Sequence, residues 1–368
     1  MPKRKILINC FSLRDGGGQT HILKLIEHLK YDRNYSVIVL LSKKSSLKMP
    51  REDVEKIVIN WPVENQLLRT LWEVLILPLL MKKLKIDLLF CPGGVISNFM
   101  PKNIKSATMF RNMTPFDEEQ IAKIPFGLKK MRNIILKKVM LRSMQKADLV
   151  IFISQFARQV IQRNLTKSLN ETILIPHGVD FSELSALDDI NHIITEPYIL
   201  YPSSLDNYKS QLEVVEAYSI LSKKRDLPDL VLVGSHDQNR SYFNLVKDKI
   251  LNTGLEKKVI LTGKIDYELM PSIYRKSEMV IFASQTENCP NILLEAMSSN
   301  KFILCSNIQP MPEFAKDTVI YFNPKVPKEL ANKLDWALDN PQMTEHFASM
   351  AFEESKNYSW KTTSIKTW

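Results

Sequence analysis

Apolar residues gather along this chain in short runs, each followed by a stretch whose apolar positions recur at three- and four-residue steps. The first run, KILINCF at 5–11, alternates as a strand does. Ile22, Leu25, Ile26 and Leu29 then fall on one face of a helix. Further strand-like runs lie at 36–42, 54–59, 87–92, 106–110, 147–154 and 172–175. Between them, 66–85 predicts a long amphipathic helix kinked or broken near Pro78, and 155–164 predicts another helix. Residues 181–196 are acidic and carry no helical period, so they read as a linker. A second series opens at Tyr198, with strands at 198–202, 229–235, 258–263, 279–284, 302–306 and 319–322. Helices are expected over 241–253, 267–276 and 327–356. Strand and helix in alternation imply parallel sheets covered by helices on both faces. Two α/β domains are therefore expected, with a boundary near residue 190.

Composition narrows this picture little, but charge does more. With 45% apolar and 24% charged residues, 368 residues suffice for two cores. Residues 1–190 hold 30 Lys+Arg against 18 Asp+Glu, while the remainder holds 20 against 22. The basic half draws anionic partners. Its strongest concentration is 123–146, read as one basic amphipathic helix with eight basic residues and no acidic one. That pattern suits an anionic membrane surface, and no nucleic-acid motif accompanies it. The longest apolar run, 74–81, is broken by Pro78 and is too short to span a bilayer. No secretory signal pattern opens the chain, so a cytoplasmic location is expected. Cys10, Cys91, Cys289 and Cys305 form no CxxC pair, which indicates neither a disulfide framework nor a zinc site.

The candidate chemistry centres on SQTENCPNILLEAMSSN at 284–300. A strand precedes it and a helix begins inside it, so Glu287 lies in the connecting loop and Glu295 about one turn into the helix. Such a loop offers unpaired N–H groups and the positive end of a helix dipole to an anion. In the first half, Gly16, Gly17 and Gly18 stand between a strand and a helix, another arrangement that brings backbone N–H groups to phosphate. The spacing is not the dinucleotide fingerprint. Arg111 and Asn112 follow the strand at 106–110, at the carboxyl edge where ligands of parallel sheets sit. His177, in PHGVD, reads as a turn residue.

Several of these features agree in order and spacing. They are Gly16–Gly18, Ala147-Asp148 before VIFIS, IPHGVD at 175–180, Lys209 after YPSS, LVLVG at 230–234 and VILTG at 259–263. Glu287 and Glu295 in TENCPNILLEAM, Met311-Pro312-Glu313 and YSW at 358–360 complete the set. Together they resemble glycosyltransferase family 4, of the kind found in surface-polysaccharide or lipopolysaccharide biosynthesis, best over 150–325. The resemblance implies a GT-B fold, two Rossmann-like domains facing a cleft, with residues 1–190 binding acceptor and 191–354 binding nucleotide-sugar. A C-terminal helix within 355–368 would return to the first domain.

The implied activity is retaining hexosyl transfer from a UDP- or GDP-linked sugar to a lipid-linked saccharide or polysaccharide acceptor. Glu287 and Lys209 would be catalytic, and Glu295 would take the ribose hydroxyls. Gly17, Gly18, Ser203, Ser204, Lys264, Asn288, Cys289, Pro290, Asn291 and Ile292 would complete donor binding. Arg111 and Asn112 would contact the acceptor. Ser203 and Ser204 stand near a position where the family commonly has Arg, and Arg111-Asn112 stands where it often has His-Asp. No Asp-x-Asp occurs in a donor-site context, and Asp188-Asp189 falls in the linker, so no metal or other cofactor is expected. The enzyme would be peripheral on the inner face of the membrane. Two alternatives remain open here, a GT-B epimerase and a non-catalytic nucleotide-sugar-binding partner of a polysaccharide-synthesis complex.

Overall fold

Among the described residues of a computed structural model, two parallel sheets, of seven and six strands, organise the chain. The structure describes all residues except 1–2, 14–16, 31–33, 46, 97–99, 181–189, 191–193, 196 and 238. Gly16, Asp188, Asp189 and most of the expected linker therefore lie outside the described residues. The chain divides into two compact units, Met1–His177 with Trp360–Trp368, and Gly178–Ser359.

In the first unit, β1 (Arg4–Asn9), α1 (Gly17–Glu27), β2 (Tyr35–Ser42) and β3 (Glu55–Ile59) lead to α2 (Gln66–Leu75) and α3 (Leu77–Leu84). Then come β4 (Leu88–Cys91), β5 (Lys105–Phe110), α4 (Glu118–Lys123) and α5 (Leu128–Lys146). β6 (Leu149–Phe152), α6 (Gln155–Asn164) and β7 (Glu171–Leu174) complete the series. The strand order is β3-β2-β1-β4-β5-β6-β7. The chain runs outward from β1 to β3 and then returns to the other side of β1, where β4 pairs in parallel. Loops leaving β1 and β4 thus diverge at a switch point.

Alternate strand residues define one buried face: Leu7, Ile38, Leu40, Leu89, Cys91, Val150 and Phe152 share a cluster with Trp72, Met81, Met140 and Ile161. The helix expected over 66–85 is interrupted at Ile76, because Pro78 cannot donate the bond that would continue α2. The helix expected to begin at Lys123 begins later, at Leu128, and Lys123 instead ends a separate short helix. Ile124, the residue before Pro125, is extended, which ends α4 and leaves α5 to start at Leu128. Only Met140, Ser143 and Met144 of α5 are buried, so its first half is not packed as a core helix.

The second unit opens with β8 (Tyr198–Pro202), α7 (Gln211–Ser222), β9 (Asp229–Val233), α8 (Arg240–Asn252) and β10 (Val259–Gly263). It continues through α9 (Met270–Lys276), β11 (Met279–Phe282), α10 (Asn291–Ser298), β12 (Phe302–Ser306) and α11 (Met311–Ala315). β13 (Ile320–Phe322), α12 (Pro327–Asp339) and α13 (Pro341–Ser355) end it. The order β10-β9-β8-β11-β12-β13 again reverses beside the first strand, here between β8 and β11. Tyr201, Val214, Tyr218, Leu230, Ile281 and Leu304 belong to its core.

The terminal helix α14 (Trp360–Thr367) belongs to the first unit. Trp360 is buried with its ring 5.3 Å from His177 and 5.7 Å from His21, whose own rings stack 4.8 Å apart. Ser364 Oγ donates to Leu25 O at 2.9 Å, and Thr363 Oγ1 to Pro176 O at 2.8 Å. His177 is thus part of a buried aromatic stack, which is more than its place in a turn suggested. Asp148 stands at the opposite, amino-terminal edge of the sheet. It accepts from Lys105 Nζ at 2.8 Å and from Ser106 N at 2.9 Å, tying β5 to β6.

Candidate functional site

The β8/β11 switch point gathers most of the chemistry. After β8 the backbone is held by Ser203 N, which donates to Val233 O at 2.7 Å. Asp206 caps the short 3-10 turn Asn207–Lys209 through Asn207 N at 2.8 Å. Tyr201, inside β8, donates its hydroxyl to Lys209 O and so anchors that turn from below. After β11, Gln285 N donates to Tyr208 O, and Gln285 Nε2 to Ser210 Oγ, each at 2.7 Å. These bonds tie the two loops together, and across them Lys209 Nζ forms an ion pair with Glu287 Oε1.

Lys209 is 6% exposed, with Nζ 5.1 Å from the Tyr208 ring centroid and 5.8 Å from that of Phe282. Burial works against its charge, but the nearby Glu287 carboxylate outweighs it, so the ammonium is held above its ordinary pKa. The site therefore keeps a fixed positive charge beside a carboxylate, both largely out of water.

Helix α10 starts directly after this loop. Pro290 occupies its N-cap position and supplies no side-chain oxygen, and no acidic residue lies in the first turn. No N-cap side chain and no first-turn acid offsets the helix dipole at this end, which favours an anion there. Asn288, Cys289 and Pro290 are buried here, while Asn291 and Ile292 are half-buried. One turn in, Glu295 Oε1 accepts from Tyr267 OH at 2.9 Å and Oε2 from Tyr274 OH at 3.1 Å. Burial pushes the Glu295 carboxyl up to about 7, against the two hydroxyls that favour its ionised form.

Neighbouring loops fix the approach. A Cβ on Gly234, after β9, would lie 2.1 Å from Ser203 O and 2.4 Å from Ser203 C. Only glycine lets the two loops touch. Gly263, at the end of β10, has φ +73°, and a Cβ there would meet nothing within 4 Å. It turns the chain in the left-handed region toward open space and leaves Lys264 exposed. Ser203 is buried and its hydroxyl donates to Ser204 O at 3.2 Å, whereas Ser204 is exposed.

In the first unit, Gly17 opens α1, and a Cβ on Gly18 would stand 3.3 Å from an Arg111 guanidinium nitrogen. Those two candidates are neighbours at the ends of β1 and β5. Asn112 is exposed and its Oδ1 accepts from Thr114 N at 3.1 Å, which shapes the turn after β5.

Sequence reasoning did not single out Tyr208, Gln285, Tyr267 or Tyr274. The two tyrosines of the Glu295 pair are seven positions apart, two helical turns, within a stretch expected to be helical. That spacing was the available signal. Nothing in the sequence pairs Gln285 with Ser210, 75 positions away.

Comparison with known proteins then bears on this site. Residues 187–354 match the family model described as glycosyl transferases group 1, and 15–183 match glycosyltransferase family 4. An uncharacterized glycosyltransferase of Methanocaldococcus jannaschii is 21% identical over 94% of this chain and 92% of its own. Campylobacter jejuni N-acetylgalactosamine-N,N'-diacetylbacillosaminyl-diphospho-undecaprenol 4-alpha-N-acetylgalactosaminyltransferase is 26% identical, over 83% of this chain and 81% of that protein. Anabaena HepE, solved in complex with UDP-glucose, superposes with a TM-score of 0.77 at 19% identity, covering 98% of this chain and 97% of HepE.

Proposed function

The chain belongs to the group 1 and family 4 glycosyltransferases of GT-B fold, and on that premise we propose that it is a retaining hexosyltransferase using a UDP- or GDP-linked sugar. The observation that carries the reading is the Lys209–Glu287 pair at the β8/β11 switch point, beside the start of α10, where the N-cap is Pro290, and the tyrosine-bound Glu295. A diphosphate suits a helix start next to a buried ammonium, and a vicinal diol suits a carboxylate whose two oxygens each accept one tyrosine bond and keep a further lone pair. Asn288, Cys289, Pro290, Asn291 and Ile292 frame the diphosphate and sugar in this reading. Ser203 and Ser204 line its β8 side, and Lys264 borders the base. Gly17 and Gly18 keep their reading as backbone donors toward the donor phosphates, and Arg111 and Asn112 theirs as acceptor contacts.

In the proposed reaction the bond between the sugar anomeric carbon and the diphosphate oxygen breaks. The acceptor oxygen bonds to that carbon from the same face, and its proton passes to the departing phosphate oxygen. Lys209 offsets the charge that develops on the diphosphate, which is where a preorganised charge contributes most. Glu287 orients the donor sugar by accepting from its hydroxyls. Lys209 carries this charge role without a metal ion, so chelators should leave turnover unchanged.

The acceptor is proposed to be lipid-linked, and the protein peripheral on the inner face of a membrane. Two observations support this: the basic first half, and a relative whose name specifies a diphospho-undecaprenol acceptor. Among the described residues no helix is long and apolar enough to cross a membrane. The decisive experiment is a thermal-shift screen of UDP-, GDP- and ADP-sugars, followed by anomer analysis of the product by NMR. Glu287→Ala and Glu295→Ala should each abolish most turnover. Unchanged turnover in both would sink the assignment of the site.

A further inference from the structure

Helices α2 and α3 present an apolar ridge that the core does not use. Ile76, between them, stays right-handed, donates to Trp72 O at 2.8 Å and accepts from Leu80 N at 2.9 Å, so helical hydrogen bonds bridge the interruption at Pro78. Its inner side is anchored by Trp72, Leu77 and Met81. On its outer side Leu67, Leu71, Leu75 and Leu79, each four residues from the next, are 81%, 47%, 56% and 63% exposed. A ridge of that length is unusual on a water-facing helix, where isolated exposed leucines are the norm.

The charges around the ridge select its partner. Lys82, Lys83 and Lys85 are exposed at its end. The sole acid between 66 and 85 is Glu73, which is half-buried and accepts from Asn9 Nδ2 at 2.8 Å. The buried cluster that seats α2 and α3 also seats α5, so all three helices cover the same face of the sheet. On α5 and just before it, Phe126 and Leu128 are 87% and 92% exposed, beside Lys129 and Lys130. Leucines ending in lysines, with Glu73 the one acid between 66 and 85, are complementary to acyl chains beneath anionic headgroups. A second copy is a poorer occupant, because its ridge offers those lysines no counter-charge beyond Glu73, which is already bonded to Asn9.

We propose that the α2–α3 ridge is a membrane-docking face, its leucines seated among acyl chains and its terminal lysines on anionic headgroups. The inference rests on the lipid-linked acceptor reading above. It adds which surface meets the bilayer, a place that the basic stretch 123–146 alone does not indicate.

The test is flotation of the full chain with phosphatidylcholine vesicles holding about 30% phosphatidylglycerol, compared with phosphatidylcholine alone. Wild type should float with the anionic vesicles. Leu71→Glu/Leu75→Glu/Leu79→Glu should lose about tenfold or more in binding at an unchanged Tm, since all three side chains are already exposed. Lys82→Glu/Lys83→Glu should lose binding only to the anionic vesicles. Undiminished flotation of the leucine variant overturns the proposal, whether or not Lys129→Glu/Lys130→Glu then abolishes binding. So does a wild-type dimer in size exclusion that the leucine variant converts to monomer. Failure of wild type to float overturns it as well. Donor hydrolysis in the absence of lipid is measured in parallel. If it persists while flotation fails, the docking face falls and the glycosyltransferase reading stands.

Discussion

Lys209 and Glu287 are 78 positions apart in the chain, yet they form one ion pair across the ends of β8 and β11, adjacent strands of the second sheet. Both side chains are largely buried, at 7% and 17% exposure. Removing one partner leaves the other charge without its counterion in a poorly solvated place, at a cost of about 3–5 kcal/mol. Lys209→Met and Glu287→Gln should each lower the denaturation midpoint. The double variant should lose less than the two single losses combined, by about 1–3 kcal/mol. Strict additivity in that cycle would show that the pair is not coupled. Turnover should fall by about a hundredfold or more in each single variant.

The Glu295 carboxyl sets a second, pH-dependent expectation. Its ordinary value is 4.5, and burial, opposed by the Tyr267 and Tyr274 hydroxyls, holds it at about 7 in the folded chain. Between these values the folded state binds more protons than the unfolded state, so stability falls as pH rises. Relative to Glu295→Gln, wild type should lose roughly 1–3 kcal/mol between pH 4.5 and 7. Ligand binding should run the opposite way. A ribose diol needs the ionised carboxylate as acceptor, so UDP or GDP affinity should rise as pH climbs through about 7. A pH-independent affinity, measured by calorimetry, would remove Glu295 from the ribose site.

Gly234→Ala tests the contact between the loops after β8 and β9. The added carbon would lie 2.1 Å from Ser203 O, which is backbone and cannot swing away. Overpacking of this kind costs about 1–3 kcal/mol. Donor affinity should fall together with Tm, because Ser203 and Ser204 must move. A variant with wild-type Tm would mean that the loop is looser than its packing indicates.

Trp360→Ala addresses the terminal helix. The ring lies against His177 and His21, and α14 is further held by Ser364 and Thr363. Loss of a buried Trp costs about 3–5 kcal/mol. Limited proteolysis should then release the C-terminus before the rest of the chain is cut. Resistance equal to wild type would contradict the anchoring role of Trp360.

Much of the architecture was legible without coordinates, for a physical reason. A strand buried on both faces must be apolar, and a helix covering a sheet must repeat near 3.6 residues, so 302–306 and 155–164 read as β12 and α6 to the residue. Pro78 likewise marked the interruption between α2 and α3, because a missing N–H is a local property. The stretch 123–146 misled because its charge and apolar period run past Pro125, which nonetheless ends one helix and precedes the next.

The site divides the same way. Sequence alone determined that Glu287 lies in a strand-to-helix loop and Glu295 inside the helix, since both positions follow from local periodicity. It could not determine what faces them. That Lys209 meets Glu287, that Tyr267 and Tyr274 hold Glu295, and that His21 stacks with His177 and Trp360 depend on strand order and helix docking. Those pairings join residues far apart in the chain, and only the tertiary fold, through burial and the order in which strands pair, brings them within bonding distance.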